Sequence, residues 1–461
     1  MENQLIAKSI QELRSGFDQK LNHSYKQRIH HLDLLEKMIR SHEQSIMDAL
    51  AQDFSKPAFE TFLTEVYPVL DEIRHFKKHL RAYMQPEKVG TPIQLLPASG
   101  KIHYEPKGVV LVIGAWNYPL NLTLMPAIAA IAAGNTVLLK PSEIASHTSS
   151  LLHRLMRSTL PGNILSVIEG DGEFTSKVLD HRFNHIFYTG SSNIGKIVYQ
   201  KAAVHLCPVT LELGGKSPAI FHESANFSRG VKRLLWGKFL NGGQTCVAPD
   251  YALVPIHKKE EFLKHCAAII QKFYAEAGKQ STIINERHFE RIVKLLEGNQ
   301  TIHFGGKSDA PINYIEPTVV EIFGLEHPLM SEEIFGPVLP VYFYKQPSEI
   351  CDFYDNSPNP LALYIFSTSK KFTNHILDNY PAGGVLINDV IMHLANPSLA
   401  FGGRGSSGFG NYHGKYGFQT FSHAKSVMKQ VNWIDPSFRY PPYTDRKLNF
   451  MRWMINFIHR F

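Results

Sequence analysis

VVLVIGAWNYPLNLTLMPAIAAIAAGNTVLLKPSE, residues 109–143, is the stretch that decides the fold. It opens on a five-residue apolar run, Val109–Ile113, turns through Gly-Ala-Trp-Asn-Tyr-Pro, and continues as a helical segment over Leu120–Ala133. A Gly-Asn turn then leads into a second apolar run, Thr136–Leu139. The same alternation continues downstream. Runs at Ile164–Ile168, His185–Tyr188 and Val209–Leu211 are separated by helical stretches at Ser146–Thr159, Thr175–Leu179 and Ile194–His205. Strands of about five Val/Ile/Leu-rich residues alternating with helices predict a parallel sheet covered on both faces. This is a doubly wound α/β architecture, and such sheets bind nucleotides beyond the carboxyl ends of their strands.

Upstream, Leu21 to Leu50 and Glu60 to Met84 read as helices with charged faces, and Pro86, Pro92 and Pro97 mark a connector. Downstream, a second α/β stretch runs from Pro218 to about Ile391. Its expected strands are Ala219–Phe221, Ala252–Pro255, Thr301–Phe304 and Leu339–Tyr344, and its expected helices are Arg229–Leu240, Lys259–Tyr274 and Arg287–Glu297. Phe401–Gly410 is a Gly- and Ser-rich loop, and Phe418–Val431 alternates like a late strand.

With 461 residues the chain is too long for one core, so two or three domains are expected. The net charge of +7 is not gathered into a Lys/Arg stripe outside the C-terminus, which argues against a nucleic-acid partner. The four cysteines, Cys207, Cys246, Cys266 and Cys351, form no CxxC pair, so neither a metal site nor a disulfide framework is expected. No signal peptide is recognisable, and no stretch reaches the roughly 20 apolar residues of a bilayer span. A cytoplasmic protein, in a compartment where thiols stay free, is the expectation.

Six motifs bear on chemistry, and each has two readings. In HIFYTGSSNIGK, 185–196, a strand ends at Thr189; Gly190, then Ser191 and Ser192 as caps, then Gly195 open a helix whose N-terminus favours a phosphate. The spacing is not GxGxxG, and a plain strand-turn-helix needs the same small residues. In NGGQTC, 241–246, a Gly-rich turn can expose Cys246 to backbone N–H donors that stabilise a thiolate; a lone cysteine is also an ordinary buried hydrophobe. In LELGGKSP, 211–218, Glu212 ends an apolar strand; desolvation would raise its pKa towards that of a general base, and a salt bridge would make it structural. In AWNYPL, 115–120, Asn117 can donate to a developing oxyanion or simply open the turn before Pro119. In KPSE, 140–143, Lys140 and Glu143 stand where ribose groups would lie, or are solvated. In EEIFGP, 332–337, Glu333 is solvated and Phe335 is core unless both face a ligand.

Taken together in this order and spacing, from about Pro106 to Val427, the six motifs resemble the aldehyde dehydrogenase superfamily. The short N-terminus and the tail FGGRGSSGFGNYHGKYGFQTFSHAKSV resemble its class-3 branch. The resemblance implies a fold with a doubly wound coenzyme domain (1–85 and 107–211) and an α/β catalytic domain (212–395). A small bridging β element (86–106 and 415–435) and an amphipathic tail (440–461) complete it. It also implies that Cys246 is the nucleophile, that Asn117 and the Cys246 N–H hold the oxyanion, and that Glu212 activates the hydrolytic water. Gly190, Ser191 and Gly195 would form the pyrophosphate turn. Lys140 and Glu143 would approach the adenosine ribose, Glu333 the nicotinamide ribose, and Phe335 the nicotinamide itself. A carboxylate at Glu143 accepts from a ribose hydroxyl and repels a phosphate, so NAD is expected as the preferred coenzyme, with NADP tolerated. A homodimer is also implied.

Two rivals remain. A CoA-acylating enzyme would pass the thioester to CoA, but members of that branch generally lack the glutamate found here at Glu212. A structural or binding protein on the same fold would have no need to keep Cys246, Glu212 and Asn117 together. The tail DRKLNFMRWMINFIHRF, 445–461, spaces Leu448, Met451, Ile455 and Ile458 helically. Phe450, Trp453, Met454 and Phe457 widen that face, and Arg446, Lys447, Arg452 and Arg460 add charge. It fits peripheral contact with a membrane surface, or docking on a subunit. A membrane-surface enzyme would suit an apolar aldehyde: medium- or long-chain, aromatic or carotenoid-derived.

Overall fold

The structure is a computed structural model and describes residues 2–274, 280–298 and 300–458. Its first sheet has six strands in the order Gly408–Phe409, Val209–Glu212, His185–Thr189, Val109–Ile113, Thr136–Lys140 and Leu165–Val167. All pair in parallel except Gly408–Phe409, which caps one edge antiparallel. Val109–Ile113 lies in the middle, buried along its whole length. A β-branched run buried on both faces gains about 1.5–3 kcal/mol per side chain, which outweighs any competing local preference. The next helix, Asn121–Ala132, is buried at every position after the first.

The second sheet orders its strands as Gln300–Phe304, Thr318–Ile322, Val338–Tyr344, Tyr251–Pro255, Pro218–Phe221, Ala362–Phe366 and Gly384–Ile387. Only the first pair is antiparallel. A third sheet joins Glu87–Val89, Ser99–Pro106 and Ser422–Lys429. The strand expected at Phe418 therefore begins at Ser422, because Gly414–Thr420 forms a short helix that buries Phe418.

The helical N-terminus is more broken than its periodicity suggests. Leu21–Leu50 divides at His42 into Tyr25–Ser41 and Glu43–Phe54. Glu60–Met84 divides too: Ala58–Thr61, a wide π turn over Phe62–Val66, then Tyr67–Tyr83. Pro68 has no N–H to give the Thr64 carbonyl, which accepts instead from the Asn121 side-chain amide at 3.0 Å. That bond ties the N-terminal helices to the start of Asn121–Ala132.

Candidate active site

Cys246 follows the helix Phe227–Phe239 and a tight turn, Leu240–Gly243, in which Asn241 and Gly242 take left-handed φ of 56° and 60°. Gly243 is required by contact, since an added Cβ would lie 2.2 Å from the Gly336 carbonyl oxygen. The turn leaves Cys246 half-buried in the wall of a cavity. Burial, then the carboxyls of Glu333 and Glu212, push its thiol up to about 12. The backbone N–H groups of Cys246 and Val247 bear on the sulfur and pull the other way.

Glu212 ends its strand beside Thr189 and is 3 % exposed. Neither carboxyl oxygen has a hydrogen-bond partner, so the salt-bridged alternative does not hold. Burial alone drives its pKa well above the usual carboxylate range. A buried carboxyl without partners is held neutral, with one O–H donor and one carbonyl acceptor left unfilled.

Asn117 is buried, and its Nδ2 donates to the Gln244 carbonyl at 3.0 Å. One N–H is spent on this bond and the second is left over, so the AWNYPL turn is fastened directly to the NGGQTC turn. Glu333 is half-buried rather than fully solvated. Its carboxyl lies against Gly214, where an added Cβ would be 2.0 Å from Oε2, and burial pushes it up to about 8. Phe335 takes φ +49° and sets its ring edge-on to Trp116, with centroids 5.3 Å apart. A bulky residue in that conformation is held there by its surroundings.

At the carboxyl edge of the first sheet, Ser191 occupies the N-cap position of the helix Ser192–Val204 but makes no side-chain cap bond; the expected Ser caps are thus corrected. No described residue accepts from the backbone N–H of Ser192, Asn193 or Ile194. An added Cβ would meet Tyr188 Oη at 2.3 Å on Gly190, and Leu213 Cδ2 at 2.8 Å on Gly195. Gly190 N donates to the Glu212 carbonyl at 3.0 Å, which joins this turn to the LELGG segment. Unclaimed donors over a cradle that admits no side chain fit the pyrophosphate of NAD or NADP. Lys140 is buried, not solvated, and its Nζ bonds Pro141 O at 2.9 Å and Glu143 Oε2 at 2.8 Å. The Glu143 carboxyl stays 43 % exposed.

Several neighbours escaped the sequence reading. Tyr118 Oη and Thr245 Oγ1 share a 2.6 Å hydrogen bond. Lys216 is clamped by Asp250 Oδ2 at 2.6 Å and by the carbonyls of Leu329 and Glu332, which fixes the turn carrying Glu333. The cavity itself, about 260 Å³, is walled by Leu122, Met125, Trp236, Leu240, Met392 and Phe401 besides Cys246. Lys216 stands inside LELGGKSP and could have been singled out there. The cavity has no such signal, because its walls come from far-apart segments.

The aldehyde dehydrogenase family profile matches residues 2–427. The chain belongs to the aldehyde dehydrogenase family. It is 42 % identical over 417 residues, 89 % of this chain and 91 % of the relative, to the 4,4'-diaponeurosporen-aldehyde dehydrogenase of Staphylococcus aureus. It is 42 % identical over 443 residues, 95 % of this chain and 98 % of the relative, to the dimeric NADP-preferring aldehyde dehydrogenase of Rattus norvegicus. Among solved structures, the substrate-bound Staphylococcus aureus AldH superposes with a TM-score of 0.93 at 39 % identity, covering 98 % of this chain and 99 % of that one. This aldehyde dehydrogenase therefore oxidises an aldehyde with NAD or NADP as acceptor, as its family does, and its class-3 resemblance holds.

Proposed function

We propose that Cys246 carries the acyl group of an apolar aldehyde as a thioester, which water then releases as a carboxylic acid. The observation that carries this reading is a cavity-wall thiol on which the unpartnered buried carboxyl of Glu212 bears, with the Asn117 amide fastened to the same turn at Gln244. The Cys246 thiolate attacks the aldehyde carbon. The free N–H of Asn117 and the Cys246 backbone N–H receive the oxyanion; losing one such donor typically costs about 3–4 kcal/mol. Bound NAD(P) supplies the hydride acceptor. Glu212, whose oxygens bond nothing else, takes a proton from the water that attacks the thioester carbon, and the thiolate leaves. Attack needs a thiolate, and water activation needs a charged carboxylate. Both forms are opposed by burial here, so turnover is expected to rise as pH increases.

Glu333 and Phe335 would line the nicotinamide end, and Gly190, Ser191 and Gly195 the pyrophosphate. Lys140 and Glu143 would meet the adenosine ribose. We place the coenzyme domain at 1–85 and 107–211, the catalytic domain at 212–395, and the bridging element at 86–106 and 415–435. Glu143 favours NAD, and its ion pair with Lys140 softens the repulsion of a 2′-phosphate enough for NADP to be used. The relative named dimeric supports a homodimer.

An apolar substrate, medium- or long-chain, aromatic or carotenoid-derived, suits the wall composition of the cavity. A cytoplasmic enzyme resting on a membrane surface would meet such a substrate. No helix among the described residues is long and apolar enough to cross a membrane. The helix Asp445–Ile458 buries none of its residues, and Trp453 and Phe457 stay 63 % and 54 % exposed. This supports peripheral membrane contact over docking on its own subunit. Arg460 lies outside the described residues.

A chain-length series of aldehydes with NAD, followed by NADH absorbance, tests the reading. Long aldehydes should be preferred, Cys246→Ala should lose about 10⁴-fold or more in rate, and added CoA should leave the acid as product. A normal rate in Cys246→Ala would overturn it. Co-sedimentation of full-length and tail-truncated enzyme with liposomes tests the tail; equal behaviour would dismiss it as an anchor.

A further inference from the structure

Behind the thiol turn lies a chain of buried polar groups that the mechanism does not use. Asn241 is fully buried, and its Nδ2 donates to two carbonyls at once: Asn117 O at 2.8 Å and Gln244 O at 3.2 Å. Gln244 O also receives Asn117 Nδ2. A single amide therefore clamps the backbone of the residue that donates to the oxyanion and the carbonyl that aims its side chain. The orientation of Asn241 is forced, because a flipped amide would set its oxygen against both carbonyl oxygens. Its Oδ1 is left buried and without a partner. Leaving an acceptor unfilled in a dry interior is unfavourable, so the two donations must matter more to the fold or to the reaction.

Asn241 is itself held from a distance. Its backbone N–H donates to Glu60 Oε1 at 2.8 Å, and Ser281 Oγ reaches the same oxygen at 3.2 Å. Glu60 belongs to the short N-terminal helix Ala58–Thr61. Its carboxyl is buried, and the Lys56 ammonium bears on it. Lys56 bonds Glu65 Oε1 at 3.0 Å and lies 4.4 Å above the centre of the Tyr118 ring. Glu65 Oε2 in turn accepts from Asn121 N at 3.0 Å, at the far end of the AWNYPL turn. The N-terminal helical layer thus grips both ends of the oxyanion machinery: Asn241 through Glu60, and Asn121 through Glu65. The left-handed φ of 56° at Asn241 is the conformation that this grip stabilises.

We infer that Asn241 and Glu60 are positioning residues for oxyanion stabilisation, with Asn241 setting the aim of the Asn117 amide and Glu60 holding Asn241 in its turn. The inference rests on the role proposed for Asn117. A displacement of about 1 Å at such a site can cost about 10²-fold in rate. The expected signature is therefore a fall in kcat with little change in the KM for aldehyde or coenzyme.

The test compares two reactions of the same sulfur. Aldehyde oxidation passes through an oxyanion; alkylation of Cys246 by iodoacetamide is a displacement that forms none. In Asn241→Ala, oxidation should fall by about 10²-fold, while the iodoacetamide rate stays within about twofold of wild type. A parallel fall in both rates would mean that the turn has merely collapsed, and an unchanged oxidation rate would mean that the clamp is idle; either overturns the inference. Asn117→Ala is run beside it. A large loss there together with normal oxidation in Asn241→Ala sinks the inference and spares the Asn117 reading. Glu60 provides a second pair that keeps the acidic residue's volume. Glu60→Gln retains an acceptor oxygen for Asn241 N and should keep kcat near wild type. Glu60→Leu removes it and should lower kcat by about tenfold, with KM unchanged. Equal kcat in the two Glu60 variants would contradict the role given to Glu60.

Discussion

The two sides of Cys246 are built from opposite materials. On one side the cavity wall is dominated by apolar side chains such as Leu122, Met125, Trp236, Leu240 and Phe401, with Asp71, Glu72, Asn121 and His413 among its polar members. On the other side charge is dense and tightly paired: Lys140 with Glu143, and Lys216 with Asp250, both at under 3 Å. The apolar wall selects by size and hydrophobicity, where one methylene is worth about 1–3 kcal/mol. On the proposed coenzyme side, hydrogen bonds and charge would do the selecting. The sulfur stands at the seam with two raised carboxyls, Glu212 and Glu333.

This contrast can be attacked at the seam first, where the largest effect lies. Asn117→Ala should lower kcat by about 10²–10³-fold, because it deletes an oxyanion donor that no neighbour can replace. Steady-state rates with saturating coenzyme check this, and a loss below about threefold would remove Asn117 from the oxyanion site.

The apolar side comes next. Met125→Trp fills part of the 260 Å³ cavity. Overfilling costs about 1–3 kcal/mol, so the KM for a long-chain aldehyde should rise about tenfold while that for propanal stays put. Equal rises for both would mean that the long chain lies elsewhere.

A smaller effect is expected on the charged side. Glu143→Gln removes a half-exposed carboxylate and frees Lys140 for a phosphate. kcat/KM with NADP should rise about three- to tenfold, with little change for NAD, since exposed charge interactions are worth about 1 kcal/mol or less. A fall with NADP would show that the pair acts together in holding the phosphate.

The smallest effect is on stability. Burial raises the Glu212 pKa in the fold above its ordinary value of 4.5, so the folded chain binds more protons than the unfolded one as pH rises past that value. Glu212 therefore contributes stability at low pH that is lost as pH increases. Glu212→Gln does not titrate. Its Tm should match wild type near pH 5 and exceed it by a few degrees, on the order of 2–4 °C, at pH 8. The opposite trend would mean that Glu212 is ionised in the folded enzyme.

The same contrast governs what the sequence could reveal. The charged side, proposed to hold the coenzyme, is written in contiguous motifs. A strand, a small-residue turn and a helix start lie within residues 185–196, and Lys140 and Glu143 are three apart, so both could be read directly. The central strands were legible for the same reason, as Val109–Ile113 and Thr136–Lys140 carry unbroken apolar runs. The strands Thr318–Ile322, Ala362–Phe366 and Gly384–Ile387 passed unnoticed, each a short run of four or five residues between loops. The cavity was not legible, because Tyr67, Met125, Trp236 and Met392 converge only after folding. Glu60 could not be found either, since it meets Asn241 across 181 residues and stands in a helix whose exposed face looks ordinary. The break at His42 was hidden because apolar periodicity runs through it unchanged.

The acyl group on Cys246 can be observed directly. Glu212→Gln, mixed with a long-chain aldehyde and NAD, quenched in acid and digested, should show the peptide containing Cys246 heavier by one acyl group. The adduct should persist far longer than in the wild-type enzyme, because water is no longer activated. No acyl mass on that peptide while NADH is formed, or the same mass on Cys207, Cys266 or Cys351, would contradict the mechanism.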